Sequence, residues 1–211
     1  FSPEIPLDET LGALDYLVQS GKVRYIGFST HPAWAIMESL MIAREFSYQK
    51  IVAEQPPYNL LDRRIENELI PLAQKYGIGL ITWAPMAMGV LAGRYQDTEN
   101  LPKNSRAIYR GGYYRDRVTQ AGLKVGKEFS VLAKKINLSP AQLALLWAKD
   151  QPGVTAPLMG PRTMKHLEEL LPVMKMKLDE ETRVACDQLV HPGTAVTDFH
   201  NTSGWMKMVI Q

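Results

Sequence analysis

Four short apolar runs, each followed by a stretch with helical periodicity, recur along the chain. The runs cover residues 23–29, 51–55, 78–83 and 154–159, and their β-branched and aromatic residues favour strands. No alternating hairpin pattern joins one run to the next. Regular alternation of strand and helix is typical of parallel strands joined by right-handed crossovers. The sequence therefore predicts an α/β fold, and at this point both a doubly wound sheet and a barrel fit.

Local signals mark several of the predicted helix ends. Ser139-Pro140-Ala141-Gln142 supplies an N-cap, a proline at the first helical position and a capping-box glutamine. Gly77 is placed to end one helix, and Asp179 to cap the last one. These signals place loops between the strands and the helices, at the positions where parallel α/β folds bind ligands.

The length of the chain is informative as well. A complete (β/α)₈ barrel takes about 250 residues, or roughly 31 per βα unit, and this chain has 211 residues. The sequence shows only four strands, because extra helices and one long segment, at about 86–116, occupy the remaining length. That segment has no clear period and is basic and aromatic, which favours a loop that covers a ligand.

Composition excludes several classes of function. The 24 basic and 22 acidic residues nearly cancel, so we expect no nucleic-acid partner. The chain has no apolar run of about 18 residues, which predicts no membrane span. A single cysteine, Cys186, cannot form an intramolecular disulfide, which favours a reducing, cytoplasmic location. The four histidines lack metal-ligand spacing, and we expect no metal site.

The residues that follow the strands suit a nucleotide better than they suit acid–base chemistry. Ser29, Thr30 and Gln55 can hydrogen-bond an amide, and Trp83 offers a flat aromatic face. Cations are available at Arg94, Arg106 and Arg162. Each residue also has a structural interpretation, since such glutamines often satisfy backbone groups, tryptophans are usually core and loop arginines are usually solvated. The chain has neither a Gly-x-Gly-x-x-Gly fingerprint nor a P-loop.

Several long motifs, in order, resemble the aldo-keto reductases. They are Glu9-Thr10-Leu11 to Leu14, Gly21-Lys22-Val23-Arg24-Tyr25-Ile26-Gly27, Glu54-Gln55-Pro56-Pro57-Tyr58-Asn59-Leu60-Leu61, Trp83-Ala84-Pro85-Met86 to Gly93-Arg94-Tyr95, and Ser139-Pro140-Ala141-Gln142-Leu143-Ala144 to Trp147. The similarity covers nearly the whole chain. It is strongest to the branch that includes bacterial reductases and the β subunits of potassium channels.

This resemblance implies a (β/α)₈ barrel that binds NADP(H) extended across its strand ends, without a glycine fingerprint. Ser29 and Gln55, with Thr30, would hold the nicotinamide carboxamide, and Trp83 would stack on the nicotinamide ring. The pyrophosphate would be lined by Ala84, Pro85, Met86, Ala87 and Met88, together with Arg94 and Arg106. The 2′-phosphate and adenine would be held by Gly160, Arg162, His166 and Glu169. A guanidinium at Arg162 suits a phosphate dianion, which favours NADP over NAD.

The chain also departs from the family pattern. The family commonly has Asn at the position of Thr30, Ser at Ala84, Gln at His166 and Asn at Leu170. Each change removes or alters a polar contact to the cofactor. We therefore expect reduced cofactor affinity.

The resemblance further implies that no catalytic residue lies in this chain. The family's Tyr, Lys, Asp and His come from the ends of the first four strands, and Phe1-Ser2-Pro3 matches the loop after the fourth. We expect residues 1–211 to form the C-terminal part of one barrel domain, strands five to eight with their helices. The whole enzyme would reduce aldehydes or ketones by hydride transfer, and this chain would be inactive alone. The alternatives are a non-catalytic NADP-binding regulatory subunit like the channel β subunits, or a truncated half barrel that self-associates through its open edges.

Overall fold

The computed structural model describes residues 2 and 4–199, so Phe1, Pro3 and residues 200–211 lie outside the described part. Two of the three residues matched to the predicted N-terminal loop, Phe1 and Pro3, are among those excluded, as is His200.

Four parallel strands form one sheet, which confirms the predicted α/β fold. They are β1 (Gly27–Phe28), β2 (Ala53–Glu54), β3 (Gly79–Thr82) and β4 (Val154–Pro157). Their spatial order is β1-β2-β3-β4, the same as their order in the chain. A doubly wound sheet reverses its strand order at a switch point, and no reversal occurs among the described strands. This order is the one found in the wall of a barrel.

Of the nine α-helices among the described residues, seven overlap the helices that the periodicity predicts, and the two short ones within 106–116 do not. The nine are α1 (Leu7–Gln19), α2 (Ala33–Glu45), α3 (Leu69–Tyr76), α4 (Arg106–Arg110), α5 (Tyr113–Asp116), α6 (Gln120–Lys135), α7 (Pro140–Lys149), α8 (Met164–Leu170) and α9 (Glu180–Leu189). The capping box at the start of α7 is complete. Gly77 ends α3 in the left-handed conformation, and the Asp179 side chain accepts from the Thr182 amide at the start of α9.

Several sequence predictions need correction. Strands β2, β3 and β4 are each shorter than the predicted 51–55, 78–83 and 154–159. The first strand is not 23–29 but only Gly27–Phe28, because the Val23 amide donates to the Leu17 carbonyl in the turn that ends α1. The segment at about 86–116 is not one long loop. It contains a 3₁₀ turn (Ala87–Gly89) and the helices α4 and α5, which are too short to produce a visible period.

The core lies between the sheet and its helices. Helix α7 is buried along six consecutive residues, from Leu143 to Ala148, and Trp147 packs against Tyr58 with a ring-centroid distance of 5.1 Å. The outer strands are less covered, since β4 has no buried residue. None of the helices in residues 2 and 4–199 is both long enough and apolar enough to cross a bilayer.

Candidate functional site

The ends of β1 and β2 bring together the three residues predicted to bind an amide. The Ser29 hydroxyl donates to the Gln55 carbonyl at 3.1 Å and lies 3.3 Å from the Thr30 hydroxyl. The Gln55 amide donates to the Phe28 carbonyl at 2.9 Å, which extends the pairing of the two strands. Ser29 is exposed and Gln55 is half-buried. Polar groups at the two strand ends therefore form one continuous patch.

A carboxylate lies directly behind this patch. Glu54 has no exposed surface, and its Oε1 accepts a 3.0 Å hydrogen bond from the His31 amide. Burial raises the pKa of Glu54 to about 7, although the amides of His31 and Thr30 favour its ionised form. Burial lowers the pKa of His31 to about 4, so its ring is neutral at pH 7.

The backbone after β3 is unusual. Ala84, Ala87 and Met88 adopt positive φ angles of 60°, 48° and 58°. Such conformations cost about 1–3 kcal/mol each in residues other than glycine, and they cluster at functional sites. Thr30, at the first strand end, has a φ of 59°. These four positions all lie at the strand-end face where the ligand is expected.

Trp83 begins this strained segment and is half-buried. The Arg117 guanidinium lies 5.2 Å from the Trp83 ring centroid, and it is also near the rings of Tyr113 at 4.9 Å and Phe199 at 5.0 Å. Arg117 is only 3% exposed, and burial lowers the pKa of its guanidinium. A stacked cation of this kind limits the rotation of the indole ring.

Two predicted cations converge on one residue. Arg94 donates to the backbone and side-chain oxygens of Asn104 at 2.9 Å and 2.7 Å. Arg162 donates to the same backbone oxygen at 3.1 Å. A third cation, Arg106, contacts the Met88 sulfur at 3.8 Å. Among the ion pairs formed by described residues, none includes Arg94, Arg106 or Arg162. We call Arg94, Arg106 and Arg162 the arginine cluster.

The remaining predicted residues lie at the start of and along α8. Gly160 and His166 are exposed, and the His166 amide donates to the Thr163 hydroxyl that caps this helix. Glu169 is turned toward α7, where its carboxylate accepts from the Ser139 hydroxyl at 2.5 Å and its carbonyl accepts from the Gln142 side chain. Among the described residues, no hydrogen bond or ion pair joins Glu169 or His166 to Arg94, Arg106 or Arg162.

The residues present fit a phosphorylated dinucleotide. Three guanidiniums that form no ion pair with a carboxylate of residues 2 and 4–199 suit phosphates, since each guanidinium carries five donors. The buried Nε of Arg94 has no hydrogen-bond partner among the described residues, so the cluster retains unused donor capacity. The Ser29, Thr30 and Gln55 patch can accept from and donate to an amide.

Comparison with known proteins shows the family of the chain. The model of the Aldo/keto reductase family matches residues 1–191. The chain belongs to the aldo/keto reductase family. The resemblance read from its motifs is thereby confirmed.

Relatives of this aldo/keto reductase family member include enzymes and channel subunits. It is 34% identical over 189 residues to the "uncharacterized oxidoreductase YrpG" of Bacillus subtilis, covering 89% of this chain and 56% of that protein. It is 34% identical over 182 residues to the "putative aryl-alcohol dehydrogenase C977.14c" of Schizosaccharomyces pombe, covering 86% and 50%. It is 31% identical over 193 residues to a "putative voltage-gated potassium channel subunit beta" of the same yeast, covering 84% and 56%. The chain thus spans about half the length of the curated relatives it matches.

Sequence reasoning missed two residues of this aldo/keto reductase site. Glu54 was available as a signal, because a charged residue inside an apolar strand is uncommon unless something holds it. Arg117 carried no comparable signal. It lies in a basic segment, and only the fold places it over Trp83.

Proposed function

We propose that this chain is the cofactor-binding half of an NADP(H)-dependent aldo/keto reductase whose whole barrel reduces an aldehyde or ketone. The observation that carries the proposal is the arginine cluster, whose cationic donors suit phosphates. The polar patch of Ser29, Thr30 and Gln55 at the ends of β1 and β2 suits the amide of nicotinamide. In this assignment the four strands are strands five to eight of the barrel. The sequential strand order and the coverage of about half of each relative support it.

The chain's own residues perform binding and orientation. When bound, reduced nicotinamide supplies the hydride. Ser29, Thr30 and Gln55 hold the carboxamide, and Trp83, backed by Arg117, supports the flat ring. The turn of Ala84 to Met88 presents backbone groups to the pyrophosphate. Fixing the cofactor at both ends lowers the entropic cost of reaching the reactive geometry.

The preference for NADP over NAD rests on Arg162. This residue is exposed and shares the Asn104 carbonyl with Arg94, so two guanidiniums are held close together without a neutralising carboxylate. A 2′-phosphate dianion gains charge-assisted hydrogen bonds there, whereas the 2′-hydroxyl of NAD does not. His166 and Gly160 border the adenine in this proposal. Glu169 helps to position α8, because its carboxylate accepts a hydrogen bond from the Ser139 hydroxyl.

No proton donor for the carbonyl is assigned to this chain. Tyr58, which follows β2, donates to Glu66 at 2.6 Å, and burial raises its pKa above the ordinary value of a phenol. Tyr25 is 76% exposed and precedes β1. Neither hydroxyl is available to a substrate at the strand ends, so we propose that the catalytic groups belong to the part of the barrel outside these strands.

Two experiments test the proposal. In titrations with NADPH and NADH, Arg162→Gln should weaken NADPH binding by about tenfold, because one charge-assisted hydrogen bond is lost. NADH binding should change less than twofold. Arg44→Gln, an exposed arginine on α2, is the matched control and should change neither. Equal loss for both cofactors would refute the 2′-phosphate assignment.

NADPH oxidation with a broad aldehyde panel should be absent for the 211-residue chain alone. Robust turnover would refute the proposal that the catalytic groups lie outside this chain.

A second candidate is a non-catalytic NADP(H)-binding regulatory subunit. Two relatives carry names of potassium channel β subunits, from Schizosaccharomyces pombe and from Oryza sativa. The same cofactor site would then report the redox state of the nicotinamide instead of turning over substrate. Carbonyl reduction by the full barrel would favour the enzyme, and NADP(H) binding by that barrel without reduction would favour the subunit.

Self-association of the isolated chain is a further proposal. Strand β1 is at one edge of the sheet, and an unpaired strand edge tends to pair with another chain. Beside it lies a groove whose lining includes Ile5, Leu14 and Phe28. Sizing of the purified protein should show a dimer or larger species. A soluble monomer would contradict this proposal.

A further inference from the structure

The Glu54 carboxylate is buried, and no salt bridge within the described part of the chain reaches it. It has no exposed surface, and no ion pair among residues 2 and 4–199 includes it. Its Oε2 has no hydrogen-bond partner among the described residues. Burying such a group is unfavourable, and a nonpolar residue would satisfy the strand equally well. The position of the carboxylate therefore calls for a role.

The hydrogen bond that Glu54 accepts among the described residues points to that role. Oε1 accepts from the His31 amide at 3.0 Å, and the Thr30 amide also stabilises the carboxylate. The side chain of Glu54 is therefore tied by a hydrogen bond to the residue that directly follows Thr30. Thr30 itself has a φ of 59°, which is strained for a β-branched residue. The carboxylate thus holds a turn that the local sequence does not favour.

The turn carries the groups that face the ligand. Ser29 precedes Thr30, and its hydroxyl donates a hydrogen bond to the carbonyl of Gln55, which follows Glu54 in the chain. His31 reinforces the arrangement, because its Nδ1 lies 3.2 Å from the Ser29 carbonyl and its ring stacks on Phe28 at 4.1 Å. If the amides of Thr30 and His31 lost their acceptor, the Ser29 and Thr30 hydroxyls would lose their fixed directions.

We infer that Glu54 is a positioning residue for the nicotinamide end of the cofactor site, acting through the Thr30–His31 turn to orient Ser29, Thr30 and Gln55. The inference rests on the proposed function. It assigns no contact between Glu54 and the cofactor. It predicts that Glu54 controls affinity for the nicotinamide end while leaving the phosphate end unchanged.

The test compares two ligands on the full 211-residue chain. NADPH uses both ends of the site, and 2′-phospho-ADP-ribose, which lacks nicotinamide, uses only the phosphate end. Glu54→Ala should weaken NADPH binding about tenfold, as expected when hydrogen bonds that orient polar groups are lost, and should change 2′-phospho-ADP-ribose binding less than twofold. Glu54→Gln keeps an amide oxygen in the same place and should restore NADPH affinity to within about threefold. Glu38→Ala, an exposed glutamate on α2, is the control.

The outcomes separate the two levels of the argument. If the unaltered chain binds neither ligand, the proposed function fails and the inference with it. If it binds both and Glu54→Ala leaves NADPH affinity unchanged, only the role of Glu54 is refuted. Equal weakening of both ligands also refutes it, since a general loss of folding would have that effect. If Glu54→Gln binds NADPH as weakly as Glu54→Ala does, then Glu54 does not act by accepting a hydrogen bond from the Thr30–His31 turn.

Discussion

Replacing Glu54 by glutamine should make the free energy of unfolding of this protein less sensitive to a rise in pH from 5 to 8. Burial raises the pKa of Glu54 from 4.5 to about 7, so the folded chain holds the proton more tightly than the unfolded chain. Below pH 4.5, Glu54 is protonated in both states and does not lower the free energy of unfolding. As the pH rises through 7, the unfolded chain releases this proton more readily than the folded chain, so the free energy of unfolding falls. Glutamine keeps an acceptor for the His31 amide and cannot ionise.

The magnitude follows from the two pKa values. A shift of one unit corresponds to about 1.4 kcal/mol, so the raised pKa of Glu54 lowers the free energy of unfolding by about 3 kcal/mol at pH 8 and by about 1 kcal/mol at pH 5. The difference in free energy of unfolding between Glu54→Gln and the parent should therefore rise by about 2.5 kcal/mol from pH 5 to pH 8. His31, whose pKa burial lowers to about 4, is present in both proteins, so its titration cancels in this difference.

Urea unfolding at several pH values measures this quantity. The parent and Glu54→Gln are compared at each pH, with Glu38→Gln as an exposed control that should shift by less than about 0.5 kcal/mol. A variant-minus-parent difference that stays constant from pH 5 to pH 8 would refute the reasoning, because it would mean that Glu54 ionises in the folded chain as it does in water.

Three further outcomes are expected elsewhere in the fold. Trp83→Ala should weaken NADPH binding about fivefold, and Trp83→Phe should recover most of it, because a flat face is kept; equal loss in both would contradict stacking. Gly126→Ala should destabilise the fold by about 1–3 kcal/mol in urea, because its Cβ would lie 2.9 Å from the Val90 carbonyl oxygen; Gly160→Ala, with nothing within 4 Å, should be neutral. Cys186 should not react with Ellman's reagent in the folded state, since burial raises its pKa to about 12; fast labelling of the native protein would contradict its burial.

The regular elements were predictable because their signals are local. The capping box at Ser139 and Gln142 is complete in four residues, and Gly77 needs only its own backbone freedom to end α3. The strand-to-helix alternation predicted the parallel sheet for the same reason. Where the prediction of β1 was wrong, the helix end before it decided the outcome: the turn after α1 takes the Val23 amide, and only Gly27–Phe28 pairs with β2.

The candidate site was predictable as a set of residues but not as an arrangement. Positions after strands indicated Ser29, Gln55 and Trp83, since parallel strands bring their ends to one face. No local pattern could show that Arg162 would share the Asn104 carbonyl, 58 residues away, with Arg94. The same holds for Arg117 over Trp83 and for Glu54 beneath the Thr30 turn. These contacts depend on the packing of separate elements.

The most direct test of the account is isothermal titration calorimetry of NADP⁺ into the 211-residue chain. We predict saturable binding of one NADP⁺ per chain, which inorganic phosphate weakens by competing for Arg94, Arg106 and Arg162. Absence of saturable binding, or binding that the double variant Arg94→Gln and Arg162→Gln leaves unchanged, would contradict the claim that these strand ends form a cofactor site.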